Sequence, residues 1–564
     1  MLERIRRRGD VSVLIVGGGI NGAGLFRDLA NQGVDVLLVD KGDFCSGASA
    51  APSRMIHGGL RYLEFGEFRL VRESLKDRNL LLRNAAHYVR PLPTVIPIFA
   101  WCSGALCCML RFLHLGGNRP AHRGAVMVKL GLMFYDIFTA MSRGMPKHKF
   151  TSREEAIARR PLLNPALIKT ATYYDAWISY PERLCVELLM DAEQVCPQAA
   201  AVNYVSLHGG SGSTVSLRDE CSGELLEVRP KVLVNATGAW IDFTNRALGR
   251  STRMISGTKG AHLVLENEEL MQTLQGEMIY YETDDGRVSI ALPWLGKALV
   301  GSTDLRVDDP EGVRCEEDEI DYMLESIRQV LPELKIDRSQ IVSTFSGVRP
   351  LRHAEGKATV QLSRDHHCAV LEPGGAVDFP IYSLIGGKWT TFRAFAQQVT
   401  DRLLKLFGRT RRTATDNLPI GGGEDYPVGD EARRQWLARL GEQTGLPEDR
   451  LSVLLDRYGT RASQVAEFLR EGRDEPLAHH AGYSRREIEF LLRTEGVVHL
   501  DDLLLRRTTL ALLGELTVEL LGELARIACE VHPWSAGQVQ AEMDRTLAIL
   551  RDKHRIDVRR PRKG

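Results

Sequence analysis

One unit near the N-terminus constrains the fold more than any other feature of the chain. Residues 11–16 form a short, β-branched run that is typical of a buried parallel strand. Gly17-x-Gly19-x-x-Gly22 follows directly and opens a predicted helix that ends near Gly33. A second predicted strand, residues 34–39, ends at Asp40. This order of strand, glycine-rich turn, helix, strand and acidic residue predicts a Rossmann-type dinucleotide-binding unit.

Each part of this unit suits one part of a dinucleotide. Gly17 and Gly19 let the backbone turn tightly and approach a pyrophosphate, while the helix N-terminus presents free N–H groups to the phosphates. Asp40 lies where a carboxylate accepts hydrogen bonds from ribose hydroxyls. A small-residue turn at 236–238, after a predicted strand at 232–235, is either a second approach to the same cofactor or an ordinary structural turn. The spacings alone leave FAD and NAD both open.

Composition excludes several classes of protein. The 564 residues suffice for roughly two to four domains with large cores. Lys+Arg and Asp+Glu both total 73, so the formal net charge is zero. We therefore expect no nucleic-acid partner, because proteins that bind nucleic acids normally carry a surplus of basic residues. The ten cysteines include no CxxC pair, so we expect no metal site and reduced thiols in the cytoplasm. Residues 1–9 are charged and the apolar run after them is short, so we expect no secretory signal.

Several long motifs resemble the signature of FAD-dependent glycerol-3-phosphate dehydrogenases, and they occur in that family's order. They are Ser53-Arg-Met-Ile-His-Gly-Gly-Leu-Arg-Tyr-Leu63, Asn235-Ala-Thr-Gly-Ala-Trp240, Lys259-Gly-Ala-His262, Pro293-Trp294 with Gly301-Ser-Thr-Asp304, Ser346-Gly-Val-Arg-Pro-Leu351 and Gly386-Gly-Lys-Trp-Thr-Thr-Phe-Arg393. The resemblance covers about residues 10–410 and touches the later part of the chain at 501–507. It implies noncovalent FAD as the cofactor, and a flavoenzyme as the class of protein.

We therefore predict an α/β (α+β) flavoprotein with three parts. The first is a discontinuous Rossmann-type FAD-binding domain of D-amino-acid-oxidase-like architecture, at about residues 10–90, 180–250 and 340–410. A β-rich substrate domain is interleaved with it, at about 91–180 and 251–340, and together they form an oxidoreductase region over 10–415. Residues 416–564 contain fewer β-branched residues than the preceding part of the chain. They show helical periodicity at 451–458, 485–495, 510–529 and 535–551, which predicts a helical C-terminal domain.

The resemblance also implies a set of cofactor-binding residues. Gly17, Gly19, Gly22 and Asp40 are expected to hold the ADP half, and Thr237 and Gly238 to lie near the cofactor. Ser46, Ser49, Ser53 and Gly58 are expected to line the pyrophosphate and the isoalloxazine ring, with Gly387, Lys388 and Thr390 at the far end of the flavin. The predicted set is completed by Ile20, Asn21, Lys41 and Val205.

The predicted reaction is oxidation of sn-glycerol 3-phosphate to dihydroxyacetone phosphate, with a hydride passing to flavin N5. A phosphate dianion favours arginine and lysine, and Arg61, Arg349, Lys388 and Arg54 are the predicted substrate contacts. His57 either takes the hydroxyl proton or only hydrogen-bonds the cofactor, and Arg349 or Lys388 could stabilise a developing alkoxide. His57, Arg349 and Lys388 are therefore the predicted catalytic residues.

Departures from the family pattern leave alternatives open. Arg54 replaces the family's usual lysine, Trp389 replaces leucine, and 175–184 lacks an acidic residue usual in that motif. Another polyol phosphate, such as erythritol phosphate, would use the same chemistry. An oxidase that reduces oxygen is a second alternative, and a flavin-binding protein without turnover is a third.

The resemblance implies that electrons pass to a membrane quinone. Residues 101–123 look like an insertion; the apolar run at 105–115 contains His114 and is followed by Arg119, His122 and Arg123. We expect peripheral attachment to the cytoplasmic face of a membrane through about 101–118; a core helix or a helix covered by another subunit is the alternative. The predicted partners are a polyol phosphate, a quinone and a second copy of the chain.

Overall fold

The computed structural model describes residues 2–60, 62, 66–101, 124–140, 145–353 and 365–558. The strands are β1 Asp10–Val16, β2 Val36–Val39, β3 Met55–Ile56, β4 Val89–Ile98, β5 Lys149–Ser152, β6 Lys169–Ile178, β7 Ala200–Val202, β8 Val205–Ser211, β9 Thr214–Asp219, β10 Leu225–Asn235, β11 Ile255–Leu265, β12 Met278–Glu282, β13 Val288–Trp294, β14 Lys297–Gly301, β15 Leu305–Val307, β16 Ile341–Arg352, β17 His367–Leu371, β18 Ile381–Ile385, β19 Pro476–Leu477 and β20 His480–Ser484.

The helices are α1 Glu3–Arg6, α2 Ile20–Asn31, α3 Phe68–Asn84, α4 Ala125–Ala140, α5 Arg153–Arg159, α6 Pro181–Val195, α7 Ile241–Ala247, α8 Glu268–Leu274, α9 Glu317–Val330, α10 Phe392–Leu406, α11 Asp430–Thr444, α12 Glu448–Tyr458, α13 Ala462–Arg470, α14 Arg485–Thr494, α15 Leu500–Asp502, α16 Val518–Val531 and α17 Ala536–His554.

The glycine-rich unit forms the centre of the first large sheet. Its strands follow the order β17-β18-β10-β1-β2-β7, and β1 is parallel to both β10 and β2. All four residues of β2 are buried, as expected for a parallel strand covered on both faces. Helix α2 packs against α6 and α10 through side chains such as Phe26, Leu188 and Phe395. The predicted Rossmann-type fold class is confirmed.

The second large sheet lies on the other side of the cavity from the first sheet. Its strands follow the order β15-β11-β14-β13-β12-β4-β6-β3, and β16 pairs antiparallel with β11. Strands β3 and β16 were both expected in the FAD-binding domain, but they hydrogen-bond within this second sheet. Alternation of polar and apolar residues identifies a strand but does not reveal its partner, so the sequence left open which sheet these two strands join.

The two faces of the second sheet have different partners. One face packs on α8 and α9 through residues such as Ala291 and Ile327. The other face presents Ile290, Trp294 and Phe345, which belong to the same apolar cluster as the C-terminal helices. The helical domain is therefore attached to the face of the sheet that also faces the Rossmann-type domain.

The C-terminal part is helical from α11 onward, apart from the short β19-β20 hairpin. The helix expected from residue 510 begins only at Val518. Gly514 has a φ of +74°, and the Thr517 side chain accepts a hydrogen bond from Leu520 N as an N-cap. A turn therefore interrupts the apolar run at 510–529, which the sequence pattern had predicted to be one continuous helix.

Residues 91–110 carry no charged side chain and are long enough to suggest a membrane-spanning helix, but they do not form one helix. Residues 91–98 lie in β4, and 102–110 lie outside the described residues. Among the residues that the structure describes, no helix has both the length and the apolar character needed to cross a membrane.

Candidate active site

A cavity of about 1360 Å³ lies between the two sheets and reaches the helical domain. The glycine-rich turn and Asp40 line one end, and Arg349, Lys388 and His57 belong to the same wall. The predicted cofactor residues that line it are Gly17, Gly19, Ile20, Asn21, Asp40, Lys41, Ser46, Ser49, Ser53, Thr237, Gly238, Gly387, Lys388 and Thr390. The fold therefore brings residues from widely separated parts of the chain to one site.

The glycine-rich turn leaves no room for side chains. Gly17 has a φ of +112°, and a Cβ there would lie 2.6 Å from the Ala236 carbonyl oxygen. A Cβ on Gly22 would lie 1.9 Å from the carbonyl oxygen of Gly17. Gly19 is the N-cap of α2, so the free N–H groups of that helix begin at the cavity wall. This is the cradle that a dinucleotide pyrophosphate requires.

Asp40 lies at the end of β2, where a ribose-binding carboxylate belongs. Its Oδ2 accepts a hydrogen bond from Gly18 N at 2.6 Å, and its Oδ1 accepts one from Gly42 N at 2.9 Å. Burial raises the pKa of Asp40 to about 6, although both backbone N–H groups oppose that shift. Each carboxylate oxygen retains a further lone pair for a ribose hydroxyl.

Two further loops that line the cavity are hydrogen-bonded to each other. Ser49 Oγ accepts a hydrogen bond from Ile20 N at 3.0 Å, and Trp389 Nε1 donates to Ser49 O at 3.1 Å. Thr390 Oγ1 donates to the His57 carbonyl oxygen at 3.2 Å. The turn at 386–390 is thereby joined to the loop at 46–57.

Asn21 links this arrangement to the helix N-terminus. Its Nδ2 donates to Gly386 O at 3.0 Å, while its Oδ1 is buried without a hydrogen-bond partner among the described residues. A buried, unpaired acceptor on the wall of a cavity fits a bound ligand that carries donors. Together with the glycine cradle, it shows that these residues fit FAD.

Three predicted cofactor residues lie behind the wall and do not line the cavity. Gly22 packs α2 against the turn, and Val205 is buried and donates its N–H to Asp40 O at 2.7 Å. Gly58 donates its N–H to Asp175 Oδ1 at 3.0 Å, and a Cβ there would meet Leu75 and Tyr135. Their roles are to place neighbouring residues rather than to line the cavity.

Arg54 lies away from the predicted substrate position. Its guanidinium is fully buried, forms an ion pair with Glu182 at 2.8 Å, and lies over the Trp294 ring at 4.5 Å. Arg54 has a φ of +55°, so the chain turns there and directs its side chain into the core while Ser53 and Met55 line the cavity. The expectation of a direct substrate contact is therefore not supported for Arg54, and Arg61 lies outside the described residues.

Arg349 is held with its guanidinium at the cavity. Its Nη1 lies 3.0 Å from Asp304 Oδ1, and its Nη2 donates to Ser302 Oγ at 3.1 Å. A Cβ on Gly260 would lie 2.2 Å from Nη2, so a larger residue there would displace the guanidinium from this position. The planar guanidinium is thus oriented before any ligand binds, as recognition of a phosphate requires.

Lys388 and His57 meet around Tyr62. Lys388 Nζ lies 4.5 Å from the Tyr62 ring centroid, and the rings of His57 and Tyr62 are 6.0 Å apart. All three residues line the cavity. The cavity wall therefore contains the cations of Arg349 and Lys388, the imidazole of His57 and the phenol of Tyr62.

His262 is a residue whose role the sequence analysis missed. Its Nε2 lies 2.8 Å from Ser53 Oγ, and its ring stacks on Phe345 with centroids 5.0 Å apart. Burial, together with the nearby charges of Arg349 and Arg54, lowers the pKa of His262 to about 3, so the imidazole is neutral. The motif Lys259-Gly-Ala-His262 was a usable signal, but it does not reveal that the histidine orients Ser53.

The helical domain also reaches the cavity, which was not expected. Arg506, Arg545, Lys553 and His554 line its wall. Because these residues follow the Rossmann-type unit by more than 400 positions, only the packing of the domains could reveal their position.

The cradle, the cavity and the fold define a flavin-dependent oxidoreductase. The family model for FAD dependent oxidoreductases matches residues 12–375, and the model for the C-terminal domain of alpha-glycerophosphate oxidase matches residues 413–539. FAD is therefore the cofactor of this chain.

Two relatives and one solved structure show which members of this family the chain is similar to. It is 32% identical to a glycerol-3-phosphate dehydrogenase of Synechocystis sp., over 89% of each chain. It is also 32% identical to a D-erythritol 1-phosphate dehydrogenase of Brucella abortus, over 88% of this chain and 93% of that protein. A glycerol-3-phosphate dehydrogenase of Bacillus halodurans, solved with FAD, has the same fold, with a TM-score of 0.74 over 98% of this chain and 97% of that chain at 21% identity. The chain belongs to the family of FAD-dependent oxidoreductases that includes the glycerol-3-phosphate dehydrogenases.

Proposed function

We propose that the protein oxidises sn-glycerol 3-phosphate at C2 to dihydroxyacetone phosphate. FAD, when bound, supplies the hydride acceptor of this reaction at flavin N5. The observation that carries the proposal is the preoriented Arg349 guanidinium in the cavity that also contains the glycine cradle. The names of the relatives support the same substrate.

We assign a different role to each residue around the proposed substrate position. Arg349 and Lys388 supply positive charge for the phosphate dianion or for a developing alkoxide. His57 is the residue to which we assign the hydroxyl proton, because its side chain is on the cavity wall and its carbonyl oxygen is held by Thr390. His262 is neutral and orients the Ser53 hydroxyl, so it serves the site without carrying charge.

An anaerobic titration tests this function. Purified protein with its flavin would be mixed with glycerol 3-phosphate in the absence of oxygen, and the visible flavin band would be followed. Bleaching of the band supports cofactor, substrate and half-reaction together. A band that no polyol phosphate bleaches would contradict the proposal.

A longer polyol phosphate is the second candidate substrate. The erythritol phosphate dehydrogenase of Brucella abortus is as similar in identity as the glycerol phosphate enzyme of Synechocystis. Bleaching by D-erythritol 1-phosphate but not by glycerol 3-phosphate would keep the chemistry and change the substrate.

We further propose that the reduced flavin passes its electrons to a quinone at the cytoplasmic face of a membrane. Helix α4 supports this, because one face bears the exposed side chains Val126, Leu130, Met133, Phe134 and Ile137, with Ile137 63% exposed. The opposite face buries Val128, Leu132 and Tyr135. An apolar face of this kind is suited to shallow insertion into lipid. The segment at about 101–118 was first expected to make this contact, and apart from Trp101 it lies outside the described residues.

Vesicle flotation tests the membrane contact. A double variant, Phe134→Glu with Ile137→Glu, is expected to remain with the soluble fraction while keeping its flavin. Val428→Glu is the matched control, because Val428 is 78% exposed but belongs to the helical part of the chain. Flotation of the double variant equal to that of the control would contradict the contact. Comparing a soluble quinone with oxygen as acceptor, with peroxide measured, separates a dehydrogenase from an oxidase.

A further inference from the structure

The loop at 308–316, between β15 and α9, connects the two large sheets at the cavity. Glu311 of this loop forms an ion pair with Lys41, the residue that follows Asp40 at the end of β2. The same carboxylate oxygen of Glu311, Oε1, accepts a hydrogen bond from Trp240 Nε1 at 2.5 Å. Lys41 and Trp240 follow β2 and β10 of the first sheet, whereas the loop leaves β15 of the second sheet. One carboxylate therefore joins the two sides of the cavity.

Lys41, Trp240 and Glu311 form a cluster in which each side chain contacts the other two. Lys41 Nζ lies 4.4 Å from the Trp240 ring centroid, within the range of a cation–π interaction. The loop itself also orders Glu311, because Glu311 N donates a hydrogen bond to Asp309 Oδ1 at 2.9 Å and Pro310 fixes the backbone between them. The carboxylate is thus held both by its own loop and by two partners on the other side of the cavity. We call these three residues the Glu311 cluster.

The Glu311 cluster lies beside residues that are expected to hold the cofactor. Asp40 directly precedes Lys41, and Gly238 lies two residues before Trp240. All of these residues line the cavity that contains the glycine cradle. The side chains of Lys41 and Glu311 are 50% and 60% exposed, so the cluster extends from the cavity wall to solvent. It therefore forms part of the edge of the cavity, in reach of both the site and the surrounding water.

We propose that Glu311 is a positioning residue that controls how fast FAD enters and leaves its site. Its contacts with Lys41 and Trp240 hold the loop at 308–316 to the first sheet's side of the cavity, and they have to break before this edge can open. The contacts are made within the chain and involve no cofactor atom, so their loss speeds binding and release by the same factor. The inference rests on FAD as the cofactor and is independent of which polyol phosphate is oxidised.

The rate of FAD release is the first test. Wild-type and Glu311→Gln holoenzymes would be diluted, and the fluorescence of the freed FAD would be followed. We expect release from Glu311→Gln to be about 10-fold faster, because an ion pair and a hydrogen bond to a charged group are both weakened. Glu311 is exposed, so the variant is expected to fold normally, which its Tm checks.

Asp308→Asn is the matched control for this measurement. Asp308 is exposed, belongs to the same loop and loses the same charge on substitution. We expect it to release FAD at the wild-type rate. Wild-type release from Glu311→Gln would overturn the inference. Equal acceleration in the two variants would also overturn it, because the loss of any negative charge in the loop would then be sufficient.

Rebinding of FAD distinguishes control of the cavity edge from direct contact with the cofactor. Full-length protein stripped of its flavin would be mixed with FAD, and the association rate and Kd would be measured. In Glu311→Gln we expect association to be faster by the same factor as release, so that Kd stays within about threefold of the wild type. A direct contact would instead change Kd, because removing a negative charge near a pyrophosphate strengthens its binding. An unchanged association rate with an altered Kd would contradict the proposal.

A double-mutant cycle tests whether the release rate depends on the Glu311 cluster itself. Trp240→Phe removes the Nε1 donor but keeps an aromatic ring beside Lys41, and we expect release to be about threefold faster. Combining it with Glu311→Gln is expected to add nothing to the effect of Glu311→Gln alone, because both changes break the same hydrogen bond. Lys41 is left unchanged, since it is itself a predicted cofactor contact. Effects that multiply in the double variant would overturn the assignment to a shared contact.

Discussion

Arg507 of the helical domain holds Asp43 of the cofactor-binding loop with two parallel hydrogen bonds, from Nη1 to Oδ2 and from Nη2 to Oδ1, each 2.8 Å long. Both side chains are completely buried, and Arg506 contacts the same carboxylate. Asp43 follows Asp40 by three residues, at the end of β2. The helical domain therefore helps to fix the loop that follows β2 and lines the cavity.

Asp43→Asn is expected to destabilise the protein by about 1–3 kcal/mol, because two buried arginines lose one of their carboxylate partners, while Arg506 keeps Asp501 and Asp502 and Arg507 keeps Glu495. Chemical denaturation of the holoenzyme measures this change, and the flavin content of the purified variant measures the effect on the loop. Asp308→Asn is the control: Asp308 is exposed, and its replacement is expected to change stability by less than about 0.5 kcal/mol. Equal stability of the two variants would show that the buried ion pairs contribute little.

Asp43 also leads us to expect that the stability of the protein falls at acid pH. Burial would raise the pKa of Asp43, but Arg507 and Arg506 outweigh it and lower the pKa to about 2. A depressed folded-state pKa stabilises the protein above the unfolded value of about 3.9, and this stabilisation is lost as the pH falls toward 2. Denaturation midpoints between about pH 5 and pH 2.5 should therefore fall less steeply in Asp43→Asn than in the wild type. Parallel curves would contradict this assignment.

His499 gives an expectation of the opposite sign. Its Nδ1 lies 2.7 Å from Glu542 Oε1. Burial lowers the pKa of His499, but interactions with Cys221 and Glu542 outweigh it and raise the pKa to about 9. The stabilisation is complete below the unfolded value of about 6.5 and is lost as the pH rises through 9. The Tm of the wild type should drop between about pH 6.5 and pH 9.5, and Glu542→Gln should reduce that drop.

Gly22→Ala is expected to give protein with little or no flavin. The new Cβ would lie 1.9 Å from the Gly17 carbonyl oxygen, so the turn would have to move away from the pyrophosphate position. The ratio of flavin to protein absorbance in the purified variant measures the effect. Gly522→Ala in α16 is the control, because a Cβ added at Gly522 would have no atom within 4 Å. It should keep its flavin and gain about 0.5–1 kcal/mol of stability.

Arg349→Lys is expected to lower kcat/KM for glycerol 3-phosphate by about 10²- to 10³-fold with flavin retained, because lysine cannot reproduce the oriented fork. Steady-state kinetics and the flavin spectrum measure both parts of this expectation. Arg306→Lys, an exposed position on β15 two residues beyond Asp304, should leave kcat/KM unchanged. Normal kinetics in Arg349→Lys would show that this arginine does not bind the substrate phosphate.

Local patterns predicted many of the residues that the structure brings together at the cavity. The glycines, Asp40 and the turn at 236–238 act through backbone geometry over a few residues, so their spacing carries the information. The family motifs extended this to the loops at 46–57 and 386–390. The same motifs predicted Arg54 as a substrate contact, but they do not show that a left-handed backbone turns its side chain toward Glu182 and Trp294.

The sequence by itself determined the class of cofactor site, the strands and helices around it, and the helical character of the C-terminal part. Those properties depend on interactions between near neighbours in the chain, such as alternation, helix capping and tight glycine turns. Only the tertiary structure decided that β16 joins the second sheet, that Arg507 reaches Asp43, and that His262 orients Ser53. These arrangements depend on contacts between residues far apart in the chain, which no local pattern encodes.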